Sequence, residues 1–192
     1  MTDGSILALR TNVAHWCSLT MRNIDKIMIR NEIRLLDVKW DNCELLTHDR
    51  DHFTWRGLQM FTNLLAQKLV LMSIKDIMVL SDSTVAWWNY DKYGNFTGGA
   101  SRMFIDTLAN KGICATIKAI NGSGFRNRHD EYLDFSTMLK HSETLKSKNT
   151  RLLIIGGWND EGYDTNTLKR SIDELVSIYK EKQRQKYLIS IQ

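Results

Sequence analysis

A chain of 192 residues falls within the span of one compact domain and is long enough to bury a substantial core. Hydrophobic residues at 43% and charged residues at 25% are ordinary globular proportions, which excludes a disordered or fibrous chain. The formal net charge of +4 is small and is densest in "YKEKQRQK" (179–186), where it reads as a solvated helix end, so no nucleic-acid or anionic-membrane partner is expected.

Taken from the front, "MTDGSILALRTNVAHW" lacks the basic region and long apolar stretch of a signal peptide, and no apolar run approaches a membrane span; a soluble, intracellular chain is the expectation. Val13, Trp16, Met21, Ile24, Ile27 and Met28 then form a stripe at helical spacing. The run "IRLLDVKW" (33–40) follows, then a second stripe of Leu58, Phe61, Leu64, Leu65 and Leu69, then the run "DIMVLSDS" (76–83). A weaker helical period over 100–111 leads into "ICATIKAI" (113–120), and another over 131–147 into "TRLLIIGG" (150–157). Leu168, Ile172, Leu175, Val176 and Tyr179 make the last stripe, ahead of a final run "KYLISI" (186–191).

Most of these runs are continuously apolar, as expected of strands covered on both faces. Strands alternating with helices imply an α/β three-layer sandwich with a five-stranded, mainly parallel, flavodoxin-like sheet, because parallel neighbours need a helical crossover. With no Pro and no Gly/Ser-rich linker, residues 1–192 read as a single domain. Cys17, Cys43 and Cys114 lie far apart without metal-ligand spacing, which indicates buried thiols rather than a disulfide or zinc site.

In open α/β sheets ligands bind beyond the carboxyl ends of the strands, so the loops after the runs are where chemistry is expected. They read "DNCELLTHDRDHFT" (41–54), "SDSTVAWWN" (81–89), "NGSGFRN" (121–127) and "GGWND" (156–160). Two glycines before Asn159 at a strand end point to a close backbone approach. Together the loops hold the residue types that acyl transfer needs: Ser83, Gly122 or Gly124, Asn159, and the pair Asp49 and His52.

Those loops resemble the sequence blocks of the SGNH (GDSL-type) hydrolases, esterases and lipases built on a flavodoxin-like sheet. Ser81-Asp82-Ser83 resembles the nucleophile block, Gly124 the second block, Gly157-Trp158-Asn159-Asp160 the third, and Asp49-Arg50-Asp51-His52 the last. Two departures stand out. The last block precedes the first, so the chain looks like a circular permutant, with residues 1–70 resembling the family's C-terminal portion and 75–192 its N-terminal portion. Permutation is tolerated when the old termini lie close together and the new ones fall at the surface. The second departure is Ser81, which stands where the family has Gly and adds a hydroxymethyl group at a tight turn.

The resemblance implies a serine esterase for small acyl esters, such as O-acetyl groups. Its catalytic triad would be Ser83, His52 and Asp49, with an oxyanion hole from Ser83, Gly124 and Asn159. Trp87 and Trp158 are candidates for contacting substrate, and no metal or organic cofactor is implied. Ser81 keeps open a non-catalytic reading, in which the domain binds a carbohydrate, an acylated ligand or a protein without turnover. A nucleotide-binding module is the weakest reading, since "YGNFTGGASRMF" has no P-loop lysine. Were the link at 70–76 too short for the front half to fold back, two chains would exchange halves in a homodimer.

Overall fold

The computed structural model describes residues 6–11, 19–38, 53–86, 99–126, 134–142, 145, 147 and 149–189. Five strands form one all-parallel sheet: β1 (Ile6–Thr11), β2 (Arg34–Val38), β3 (Asp76–Ser81), β4 (Cys114–Ala119) and β5 (Arg151–Ile155). The helices are α1 (Leu19–Arg30), α2 (Trp55–Leu71), the single turn α3 (Ser83–Ala86), α4 (Gly99–Ala109), α5 (Phe135–Lys140) and α6 (Thr165–Ile189). A 3-10 turn at Trp158–Asp160 follows β5. None of the described helices is long and apolar enough to cross a membrane.

Period-two geometry explains the layers. Along β3, Met78 and Leu80 face a core shared with Ile24, Met28, Phe135, Leu139, Leu168 and Ile172 of α1, α5 and α6. Their neighbours Ile77 and Val79 face the opposite core, with Leu58, Phe61 and Leu65 of α2 and Phe104 and Leu108 of α4. Continuous apolar runs are therefore what a sheet covered on both faces demands, and the three-layer α/β sandwich is the observed architecture.

The strand order is β2-β1-β5-β3-β4. Counted cyclically from β3, so that β3, β4, β5, β1 and β2 become first to fifth, this is the flavodoxin-like order 2-1-3-4-5. In that order the ligand crevice lies between the strands that here are β3 and β5, at their carboxyl ends.

Three expectations are corrected. The run 186–191 is no strand: α6 continues through Ile189, and the fifth place in the sheet belongs to Ile6–Thr11, whose pairing with both β2 and β5 puts it inside the sheet. Nothing between Tyr163 and Ile189 breaks a helix, since the segment holds neither Gly nor Pro. Cys114 is exposed rather than buried, because β4 is an edge strand with only β3 beside it. The helical period over 131–147 narrows to α5, which begins where Asp134 caps it by accepting from Thr137 N at 2.7 Å.

The front half does fold back within one chain. Residues 72–75 join α2 to β3, and Ser73 makes the turn at φ 58°. The same device recurs at Glu32 (φ 61°) and Gly112 (φ 74°). In each turn the next residue, Ile33, Ile74 or Ile113, donates its N–H to the carbonyl five residues back (Met28, Leu69 and Leu108) and buries its side chain as the strand begins. So short a turn suffices to carry the chain from α2 into β3.

Candidate active site

At the carboxyl edge, β3 ends at Ser81, whose strand neighbours are Ala119 on β4 and Ile155 on β5. Asp82 leaves the strand with its N–H on the Ile155 carbonyl at 3.4 Å, and its own carbonyl accepts from Val85 and Ala86, which winds the chain into α3. Its carboxylate, 2% exposed, accepts from the backbone N–H of Thr84 at 2.9 Å and the Thr84 hydroxyl at 2.7 Å. Those bonds hold the turn on which Ser83 stands, half-buried, as the first residue of α3.

The turn after β5 ties the neighbouring loops together. Asn159 donates from its side-chain amide to the Ser123 carbonyl at 2.8 Å, and the same nitrogen lies 3.5 Å from the Asp82 carboxylate. An amide nitrogen carries two hydrogens, so one is committed to Ser123 and, among the described residues, the other has only that long contact. The carboxylate of Asp160 is fully buried and accepts from two successive backbone N–H groups, Phe125 at 2.9 Å and Arg126 at 2.8 Å. The loops after β3, β4 and β5 thus meet through two side chains of one 3-10 turn.

The glycines are explained by these carboxylates. A Cβ on Gly124 would lie 2.7 Å from Oδ2 and 2.8 Å from Oδ1 of Asp160, distances that real Cβ atoms do not tolerate. A Cβ on Gly156 would lie 2.7 Å from Oδ2 of Asp82 and 2.9 Å from the Phe135 ring. The close approach expected of Gly156-Gly157 is therefore, at Gly156, an approach to the protein's own Asp82, while Gly157, at φ 115°, packs against Phe125, Ile24 and Met21. Gly122 has a different reason, a turn at φ 78°, whereas Gly124 has no positive φ. Its N–H makes no hydrogen bond to a described residue, and its carbonyl accepts from Phe135 N at 2.8 Å.

Ser81 lies in regular strand pairing without positive φ, as the last residue of β3 ahead of the turn. Its hydroxyl is fully buried with no partner among the described residues, as is that of Ser123. Ser83, Gly124 and Asn159 are brought to one edge by adjacent strands. Asp49, His52 and Trp87 lie outside the described residues, as does the side chain of Trp158, whose backbone is part of the 3-10 turn. Asp49 and His52 belong to the segment joining the carboxyl end of β2 to the start of α2, where Thr54 caps the helix by accepting from Gly57 N at 3.0 Å. His141 caps the C-terminus of α5, at the surface.

Sequence reasoning singled out neither Asp82 nor Asp160 as a shaping group. No local signal marks them, because the glycines they press against lie on other loops. No family model, curated protein or solved structure matches this chain.

Proposed function

We propose that the chain is a serine ester hydrolase of the SGNH type, circularly permuted, acting on small acyl esters. One observation carries the reading. The loops bearing Ser83, Gly124 and Asn159 follow β3, β4 and β5, strands adjacent in the order β5-β3-β4, and the sheet counted from β3 has the flavodoxin-like order. The segment with Asp49 and His52 then follows β2, the fifth strand in that count, where the resemblance requires it. In the family's order α6 would run on into β1, and the link the permutation adds would be the one between α2 and β3, so the transposed part is β1 to α2.

In this reading Ser83 attacks the ester carbonyl while His52 takes its proton and later returns it to the leaving alcohol. Asp49 holds the imidazole in the tautomer that presents its acceptor nitrogen, and stabilises the imidazolium. A water molecule activated by His52 then cleaves the acyl-enzyme. The oxyanion is met by the N–H groups of Ser83 and Gly124 and by the second N–H of Asn159. Among the described residues the Gly124 N–H meets no acceptor and the second contact of the Asn159 amide is a long one, which supports those two assignments. Removing one such donor costs about 100- to 1000-fold in turnover. The non-catalytic alternative, binding of a carbohydrate, an acylated ligand or a protein without turnover, predicts a folded protein that takes no label at Ser83.

Labelling with a fluorophosphonate probe tests the reading, with intact mass and peptide mapping on wild type and His52→Ala. A single adduct on Ser83 that fades in the variant is expected. A folded wild-type protein that takes no label at Ser83 would sink the reading.

A further inference from the structure

Resting on that reading, we propose that Asp160 is a positioning residue for the oxyanion hole: its buried carboxylate sets the β4 loop so that the Gly124 N–H is presented to the developing oxyanion. Three observations converge on it. Both carboxylate oxygens are spent on the loop, Oδ2 on Phe125 N–H at 2.9 Å and Oδ1 on Arg126 N–H at 2.8 Å. Those are the two residues directly after Gly124. The missing Cβ of Gly124 lies within 2.9 Å of the Asp160 Oδ2, Oδ1 and Cγ positions, so only glycine lets the loop seat on the carboxylate. Asn159, the residue before Asp160, pins the other side of Gly124 by donating to the Ser123 carbonyl at 2.8 Å.

Gly124 is therefore bracketed by two consecutive residues of one turn, one gripping the peptide group before it and the other the two after it. The turn itself is closed by the Asp160 N–H on the Gly157 carbonyl at 3.2 Å and by Tyr163 N–H on the Asp160 carbonyl at 3.2 Å. Two donors from different strands, the Gly124 N–H and the Asn159 amide, are so held in one frame. A hydrogen bond to an ionised acceptor is stronger than a neutral one, and a misplacement of about 1 Å in such a site costs on the order of 100-fold in rate. Toward Asp160, Phe125 and Arg126 act through their backbone, while the Phe125 ring packs edge-on against Phe135 at 5.2 Å and anchors the loop in the core.

Asp160→Asn is the discriminating variant. It keeps the volume but turns one acceptor into an N–H donor facing a backbone N–H, so one of the two bonds is lost and the loop shifts. Ser83 is titrated with the fluorophosphonate, separating the maximal inactivation rate from the probe concentration giving half that rate. Asp160→Asn is expected to lower the maximal rate about 10- to 100-fold and to leave the half-maximal concentration within about two-fold. In parallel, the backbone amides of Phe125 and Arg126 should exchange faster with solvent. Tyr179→Phe, a buried change far from the edge, serves as the control for destabilisation alone.

A folded Asp160→Asn that labels like wild type overturns the proposal, and so does a loss of rate that Tyr179→Phe reproduces. Should Asp160→Asn not fold, Gly124→Ala pushes on the same carboxylate from the other side and is held to the same standard: an unchanged maximal rate in the folded variant overturns the proposal. A wild type without label at Ser83 fails the esterase reading and this one with it, whereas a labelled wild type beside an unaffected Asp160→Asn fails this one alone.

Discussion

The two ends of the parallel sheet handle unusual backbone in opposite ways. At the amino edge, helix-to-strand turns adopt left-handed conformations at Glu32, Ser73 and Gly112, and two of the three positions tolerate a side chain there. Their geometry is closed by local backbone bonds, such as Ile74 N–H to the Leu69 carbonyl at 2.9 Å. At the carboxyl edge, Gly124 and Gly156 are required by carboxylates arriving from other loops. Turns that only connect are made locally and tolerate substitution. Turns that shape a site are made by tertiary contact and do not.

The charged groups divide the same way. At the amino edge Asp76 accepts from the hydroxyls of Ser147 at 3.1 Å and Thr150 at 2.8 Å, while the buried Tyr179 hydroxyl donates to the Thr150 carbonyl at 2.7 Å. Those bonds fasten α6 to the start of β5. Asp82 and Asp160 instead accept from loop backbone, which gives them control over where main-chain donors point.

The comparison breaks most visibly at Gly156→Ala. Its Cβ would meet Asp82 at 2.7 Å and Phe135 at 2.9 Å, on a backbone at φ +154°. A loss of about 3 kcal/mol is expected in chemical denaturation, with loss of Ser83 labelling. Next comes Tyr179→Phe at the other end. Thr150 O loses its donor and Gln183 its acceptor, so stability should fall by about 1 to 2 kcal/mol while the labelling rate of the folded protein stays unchanged.

A gain should follow from Ser73→Gly, because the turn keeps its bonds and loses the cost of a left-handed L-residue. About 0.5 to 1 kcal/mol is expected from thermal melts, and no gain would mean that the turn's geometry is more constrained than its local bonds imply. The smallest effect is at Asp164, just ahead of α6. The Thr167 hydroxyl, and then its backbone N–H, hold the Asp164 carboxyl below its ordinary value of 3.8. A carboxyl that titrates lower folded than unfolded contributes stability above the unfolded value and loses it as pH falls through the folded one. Asp164→Ala should therefore lower the melting temperature slightly near pH 7, and the difference should vanish in strong acid; a constant difference across that range would assign the effect to packing instead.

How much of this was legible depends on how local each cause is. The runs that became β3 and β5 could be read because burial on both faces leaves a continuous apolar pattern, whereas β2 and β4, at the sheet's edges, were legible from their apolar residues alone. Ser83, Gly124 and Asn159 could be placed at one edge because parallel strands put every following loop there. The swap between "ILALRT" and "KYLISI" could not be read. Both are short apolar runs, and local pattern does not separate a strand from the end of a helix at that length. Cys114 was misread for a related reason, since an apolar run does not reveal that its strand lies at the sheet's edge.

By itself, then, the sequence determined the α/β class, the two-faced strands and the loops that carry polar chemistry, because periodicity and strand-end position are properties of neighbouring residues. Only the tertiary structure decided which segment fills the fifth strand, the order β2-β1-β5-β3-β4, and the pressing of Asp82 on Gly156 and Asp160 on Gly124. Each of those joins residues far apart in the chain, as Asp82 and Gly156 are, and what selects them is close packing between elements that no local pattern encodes.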